Sequence, residues 1–352
     1  LKVCYFGTYE RAYPRNAQVI ACLRKAGVDV VERNVPVWDG RRENWRAGPR
    51  TAARLAAAEL RLLSAGDGDA DAYIVGYPGQ LDLPAARRAA RGRPVIFNPL
   101  VSLADTLVAD RGRYRSGSLP ARLLARIDRA SFNAADLVVA DTDAQRRFFE
   151  RLTTTEVAMC FVGAEERLFT PCWRPSDEFT VLFVGKLIPL QGVEVVLEAA
   201  RRAPEVRFRI VGSGQLDALV ADRPPNVDHI PWLPYEALPA ALRETGCALG
   251  IFGVSDKAQR VIPNKAYQAL ASATPLVTSD TPAARELLAD EESALLVPPG
   301  DPDALAAAVR RLASDADLAA RVSAGGREAY ERAASEAVLG SRWRGLVEGL
   351  VH

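Results

Sequence analysis

The sequence predicts an α/β protein built as two doubly wound domains facing across a cleft. Three observations carry this. Short apolar, β-branched runs alternate with helical patterns from residue 3 to residue 162, the alternation stops at a Pro-bearing polar stretch, and it restarts at Thr180. The 352-residue length suits two such domains, the first over 1–172 and the second from 173 onward.

The first series opens with a buried strand at 3–7, a loop at 8–16 and a helix that runs to Ala26 and Gly27. A strand at 28–31 follows, then an Arg-, Gly- and Trp-rich stretch at 38–48 and an Ala/Leu-rich helix at 49–65. Residues 66–71 form a turn. Its Asp67-x-Asp69 pattern precedes a strand and reads as a solvated loop, while Asp141-x-Asp143, Asp301-x-Asp303 and Asp315-x-Asp317 fit helix caps. Strands at 72–76 and 94–97 exit into polar residues: Tyr77, Gln80 and Asp82 after the first, Asn98, Ser102 and Asp105 after the second. In an open α/β sheet the ligand lies beyond the carboxyl ends of the strands, so each exit is either a site or a loop cap. A helix near 120–135, a strand at 137–140, a helix at 143–151 and a strand at 157–162 complete the series.

The polar stretch at 173–177 reads as the linker. Strands then fall at 180–184, 208–211, 227–230, 248–252, 276–278 and 294–297, with helices at 193–203, 216–221, 235–244, 264–273 and 282–289 between them. From Asp301 to about 350 the chain is nearly all helix, with Gly325 and Gly326 as a break.

Composition excludes several classes. Forty-five basic against 44 acidic residues give a net charge of +1, which offers no global pull toward nucleic acid or an anionic membrane. The five cysteines have no Cys-x-x-Cys spacing, which predicts free thiols rather than disulfides or zinc. With only His229 and His352, composition argues against a histidine triad or histidine-rich metal site, and His229 reads as a structural residue in a strand. The chain opens on a strand pattern without a charged leader, and no apolar run reaches the ~18 residues of a spanning helix, so a cytoplasmic protein is expected.

The stretch from Arg260 to Asp280 organises the second domain. Pro263 sits where a helix begins, Asn264 can cap its free N–H groups, and Lys265 stands in the first turn. A helix start carries about half a positive charge, so this end with Arg260 and Lys265 suits a phosphate or pyrophosphate. The alternative is a pair of solvated charges around an ordinary buried helix. Gly185, where backbone can approach a ligand, Lys186 and Gly212-Ser213-Gly214 lie at neighbouring strand exits. Trp232 is either a base-stacking residue or a core aromatic.

The run Pro263-Asn264-Lys265-Ala266-Tyr267-Gln268-Ala269-Leu270-Ala271-Ser272-Ala273-Thr274-Pro275-Leu276-Val277 resembles the donor-binding segment of retaining nucleotide-sugar glycosyltransferases of family 4. That resemblance covers most of the chain and is strongest from Phe161 to Gly300. It implies the GT-B fold, two Rossmann-like domains, with the donor domain over 173–334 and a final helix at 335–352 that crosses back to the first domain through Trp343, Leu346, Val347 and Leu350. It further implies that Lys186, Arg260 and Lys265 stabilise the departing diphosphate, and that Gly185, Gly212, Trp232, Asn264, Gln268, Thr281 and Glu286 bind the donor. Several positions depart from the family pattern: Lys186 takes its arginine position and Ser279-Asp280-Thr281 replaces its glycine-rich turn. Gln191-Gly192 replaces Lys-Gly, Arg260 replaces the first acid of the Glu-x7-Glu element, and Gln268 replaces its second. A glutamine still offers both donor and acceptor groups to a ribose diol.

On this resemblance Thr8, Tyr9, Tyr13, Arg15, Tyr77, Gln80, Asp82 and Asp105 are expected on the acceptor side. The implied protein is a metal-independent transferase without a cofactor, whose partners are a nucleotide sugar of UDP or GDP type and an acceptor the sequence does not name. Nucleic acid is not expected, and a peripheral membrane contact is left open. A GT-B protein that binds the donor without transferring it is the rival reading, because of Gln191, Arg260 and Gln268.

Overall fold

Parallel strands must be joined by crossovers, and helical crossovers cover both faces of the sheet, so the strands become continuous apolar runs. The computed structural model, which describes residues 1–37, 49–64, 69–174 and 178–352, has this form twice. The stretch 38–48, residues 66–68 of the expected turn, with Asp67, and residues 175–177 of the expected linker lie outside the described residues.

The first unit comprises Leu1–Val162 and Glu336–His352. Its elements are β1 (Lys2–Gly7), α1 (Pro14–Lys25), β2 (Asp29–Asn34), α2 (Pro49–Ser64), β3 (Ala72–Val75), α3 (Leu83–Ala90), β4 (Val95–Phe97), α4 (Leu119–Asn133), β5 (Leu137–Ala140), α5 (Asp143–Phe149) and β6 (Val157–Met159). All six strands are parallel, in the order β2-β1-β3-β4-β5-β6. The sequence reading passed over α3, although Pro84 in its first turn and the alanines that follow mark a helix start.

Gly163–Ser335 form the second unit. Here β7 (Thr180–Val184), α6 (Val193–Arg202), β8 (Arg207–Val211), α7 (Asp217–Ala221), β9 (Val227–Ile230), α8 (Leu238–Arg243), β10 (Cys247–Leu249), α9 (Asn264–Ala271), β11 (Leu276–Ser279), β12 (Leu295–Val297), α10 (Pro302–Ser314) and α11 (Ala316–Ala333) build a parallel sheet ordered β12-β11-β10-β7-β8-β9. Val181, Phe183, Phe208 and Ile210 pack under α6, and each such side chain taken out of water contributes about 1.5–3 kcal/mol.

Several expectations need correction. Residues 163–172 cluster with the second unit. Phe169 packs edge-on against Tyr235, the Tyr330 hydroxyl donates to the Ala164 carbonyl at 3.2 Å, and the Cys172 amide donates to Ser272 at 3.1 Å. The helix expected at 282–289 is a single 3-10 turn, Ala284–Glu286. Gly325 and Gly326 do not break the last helical run but lie inside α11, where the missing Cβ lets the helix press on the Glu292 and Ser293 backbone. Asp301 and Asp315 cap α10 and α11 by accepting from the Ala304 and Leu318 amides at 3.0 and 2.9 Å. His229 is a satisfied structural residue, its Nε2 2.9 Å from the Gly212 carbonyl, and all five cysteines are free thiols.

The last helix, α12 (Glu336–Val351), packs on α1 of the first unit. Trp343 and Val347 are buried there, Leu346 and Leu350 partly so, and Gly340 allows close contact with the Cys22 backbone.

Candidate functional site

In the second unit the chain leaves β7 toward β8 on one side, and β10 returns on the other, so the topological switch point lies between the carboxyl ends of β7 and β10. Gly185 follows β7 at this point. A Cβ there would stand 3.0 Å from Gln191 Oε1 and 3.5 Å from Lys265 Nζ, so the three groups converge. Gly212 holds φ +138°, and its missing Cβ lets the β8 exit rest on the Gly185 backbone, which only glycine permits.

Lys265 is the unusual member. Its stem is partly exposed, but its ammonium is buried 3.5 Å from the centroid of the Phe183 ring and has no hydrogen-bond partner among the described residues. Gln191 Oε1 is likewise buried and unpartnered. Leu182, Val184, Leu238, Leu242, Ala248 and Leu249 line the small space beside Lys265, and burial among them holds its pKa well below the ordinary lysine value. An orphaned ammonium is costly unless an anion joins it.

Pro263, with φ −72° and ψ 150°, occupies the cap position of α9, and Asn264 is its first helical residue rather than its cap; Pro263 makes no side-chain cap bond. One turn on, Gln268 is buried and its Nε2 donates to the Tyr235 hydroxyl at 3.2 Å. Tyr235 also faces Glu165, which pairs with Arg167 at 2.8 Å, and burial foremost raises the Tyr235 pKa. Lys186 is exposed and Arg260 half-exposed, at the end of the 3-10 turn Ala258–Arg260. Trp232 is 56% exposed, which removes the core-aromatic alternative. Thr281 is buried and accepts from the Ala284 amide at 3.1 Å, a turn cap. Glu286 lines a groove of about 600 Å³ against α11 with Arg321 and Arg332, and Lys265 is not part of that lining.

In the first unit the switch point lies between β1 and β3, and the loops after them are locked together. Asp82 is fully buried and accepts from the Thr8 amide at 2.6 Å and the Thr8 hydroxyl at 3.1 Å. Gly7, at φ +130°, leaves room for that carboxylate. Burial foremost, then the hydrogen bond and charge of Asp82, pushes Glu59 of α2 up to about 9; burial raises Asp82 as well, but the Thr8 donors favour its charged form, so Glu59 carries the proton of this pair. Arg15 is buried too. Its Nε donates to Asn98 at 2.9 Å, its Nη1 to the Cys160 and Phe161 carbonyls at 3.0 and 2.8 Å, and its guanidinium lies 5.5 Å from the Trp343 ring. Asn16, which the sequence reading did not single out, ties the Glu10 and Tyr77 carbonyls at 2.9 and 2.7 Å and takes the Tyr5 hydroxyl at 2.8 Å.

Of the expected acceptor-side residues, Thr8, Tyr9, Arg15, Gln80 and Asp82 are therefore buried, and Thr8, Arg15, Gln80 and Asp82 bond to neighbouring loops. Tyr13, Tyr77 and Asp105 remain partly exposed, with the Tyr13 and Tyr77 rings 4.8 Å apart. The first group shapes the loops, and only the second can touch a ligand directly. Among the described residues no three His, Cys, Asp or Glu side chains gather as a metal-binding group, and no helix is long and apolar enough to cross a membrane.

Comparison with known proteins agrees with this layout. Residues 178–315 match the family model for glycosyl transferases group 1. The phosphatidyl-myo-inositol mannosyltransferase of Mycobacterium leprae is 36% identical over 163 residues, 44% of this chain and 42% of that protein. The alpha-D-kanosaminyltransferase of Streptomyces kanamyceticus is 25% identical over 278 residues, 71% of this chain and 65% of that one. The chain spans less than half the length of the first curated relatives it matches, 42%, 48% and 43%. Among solved structures, sucrose-phosphate synthase from Thermosynechococcus elongatus superposes with a TM-score of 0.77 at 17% identity, covering 99% of this chain and 98% of that one. Anabaena HepE in complex with UDP-glucose gives 0.70 at 14% identity, covering 99% and 100%. The chain thus has the GT-B fold, and its residues 178–315 match the glycosyl transferases group 1 family.

Proposed function

We propose that this protein is a retaining, metal-independent glycosyltransferase that moves a sugar from a nucleotide-diphosphate sugar of UDP or GDP type to an acceptor. The observation that carries the reading is the orphaned Lys265 ammonium at the β7/β10 switch point, beside Gly185 and Gln191, in the segment that matches group 1 glycosyltransferases. The donor diphosphate lies against the start of α9, where Lys265, with Lys186 and Arg260, stabilises the charge that develops on the departing nucleoside diphosphate. Asn264, Gln268, Thr281 and Glu286 complete the donor side, and Trp232 covers the base. In this mechanism the donor phosphate takes the acceptor's proton on the same face of the sugar. No protein acid–base pair is required, and donor and acceptor are substrates with no further cofactor. Tyr13, Tyr77 and Asp105 contact the acceptor, a glycan, glycolipid or natural product, while Thr8, Tyr9, Arg15, Gln80 and Asp82 hold their loops.

One observation favours the rival reading of a donor-binding protein without transfer: Gln191 and Gln268 are neutral, and Gln268 spends its amide on Tyr235. Calorimetric titration of UDP, GDP, ADP and dTDP into wild type and Lys265→Ala, without divalent metal, followed by hydrolysis of the matching nucleotide sugars, separates the two. Tight binding of one nucleotide that collapses in the variant, with slow sugar release, is the expected result. Binding without turnover in the presence of candidate acceptors favours the rival, and no binding at all overturns the donor site.

A further inference from the structure

Among the described residues, the most exposed large apolar side chain of the first unit is at the start of α4, beyond Asp105 of the acceptor-side group. Leu119 is 79% exposed and Leu123, one turn on, 58%. Leaving two leucines in water on adjacent turns of one helix forgoes burial worth about 1.5–3 kcal/mol each, so such a stripe needs an explanation. The buried face of α4 is separate: Ala121, Asp128, Ser131 and Phe132 point inward.

Charge surrounds the leucines. Arg113, Arg115, Arg122, Arg126 and Arg129 are all exposed, and Arg115, Arg122, Arg126 and Arg129 form no ion pair among the described residues. The one acid between residues 111 and 130 is Asp128, which is buried and accepts from the Ser102 hydroxyl at 2.7 Å and from the Leu103 and Ala104 amides at 2.9 Å. In a chain whose net charge is only +1, Arg115, Arg122, Arg126 and Arg129 form a local concentration of positive charge. Beside it lies a groove of about 400 Å³ whose apolar wall is Val108, Ala121, Ala125, Phe148 and Leu152 and whose charged lining is Asp105, Asp128, Arg122 and Arg129.

We infer that the outer face of α4 docks on an anionic lipid surface, with Leu119 and Leu123 entering the interface and the arginines meeting the headgroups. Two neighbouring leucines on a helix that lies flat, ringed by cations with long apolar stems, fit the boundary between headgroups and acyl chains. An acidic protein partner fits less well, because it offers the five arginines no place for leucines among its own charges. The surface acts as a tether and takes no part in donor binding.

The test is co-sedimentation of the whole protein with vesicles of phosphatidylcholine alone and of equal parts phosphatidylcholine and phosphatidylglycerol. Wild type is expected on the anionic vesicles only, released by salt. Arg122→Glu with Arg126→Glu reverses two charges and is expected to weaken partitioning by at least roughly 10-fold. Leu119→Ser with Leu123→Ser is expected to weaken it while leaving the salt dependence in place. Circular dichroism should be unchanged in both, since all four side chains lie outside the core. Absence from anionic vesicles, or binding that both variants retain, overturns the inference. So does a concentration-dependent dimer in wild type that the leucine variant abolishes, since the stripe then serves a second copy of the chain.

Discussion

Replacing Lys265 by Met separates what the ammonium does for the ligand from what it does for the fold. The free protein buries this amine 3.5 Å from the Phe183 ring with no hydrogen-bond partner among the described residues. Charged, it carries a desolvation penalty of several kcal/mol against about 2 kcal/mol returned by a desolvated cation–π contact, and neutral it is a buried donor without an acceptor. Met has nearly the same length and suits the surrounding Leu182, Leu238 and Leu242, so Lys265→Met should stabilise the free protein by ~1–3 kcal/mol. The same change removes the charge-assisted bond to a diphosphate, ~2 kcal/mol or more, so affinity should fall at least roughly 30-fold. The pH dependence has a definite sign. Burial lowers the folded-state value, so between that value and the ordinary 10.5 the unfolded chain binds more protons, and wild-type stability rises with pH across the window. A bound diphosphate raises the value again, so binding takes up a proton and affinity falls as pH rises. Urea unfolding of both proteins, with titration of UDP and GDP in two buffers of different protonation enthalpy, measures each term. A variant destabilised by more than about 1 kcal/mol, or wild-type affinity that rises with pH below the ordinary 10.5, refutes the reasoning.

Three further changes test other parts of the structure. Glu59 carries a proton in the folded state that it loses when unfolded, so stability should fall as pH rises from 4.5 toward 9. Glu59→Gln should flatten that slope and add ~1–2 kcal/mol at neutral pH, a figure discounted because Glu59 is only partly buried, and an unchanged urea midpoint would contradict the shared proton. Arg15→Ala leaves Asn98 Oδ1 and the Cys160 and Phe161 carbonyls without their donor, so unfolding free energy should drop by ~3 kcal/mol; full stability with altered acceptor kinetics alone would return Arg15 to the acceptor site. Trp232→Ala should leave the melting temperature where it is, because the indole is already 56% exposed, yet weaken nucleotide binding by ~0.5–1.5 kcal/mol; unchanged affinity would remove Trp232 from the donor site.

Much of this was legible without coordinates, because its causes are local. Buried parallel strands must be continuous apolar runs, so 3–7, 72–76 and 180–184 identified themselves, as did Asp301 and Asp315, whose side chains reach amides only three residues on. The glycines at 185 and 212 could be marked as places of close approach, but not what approaches: Gly212 meets the backbone of Gly185, which chain order places beside it only through the β7–β8 pairing.

The acceptor-side list shows the limit most clearly. Thr8, Arg15 and Asp82 are polar residues at strand exits, and a sequence cannot tell a polar side chain that faces solvent from one turned inward to hold a neighbouring loop. That depends on partners far along the chain: Asp82 is 74 residues from Thr8, and Arg15 is 146 from Phe161. Lys265 is the converse case. Its type and place at a helix start were plain from the sequence, which therefore determined the fold and where the proposed anion site falls. Only the tertiary structure decided that its amine is buried over Phe183 with no hydrogen-bond partner among the described residues, because burial and dielectric are set by what all the other elements leave around a group.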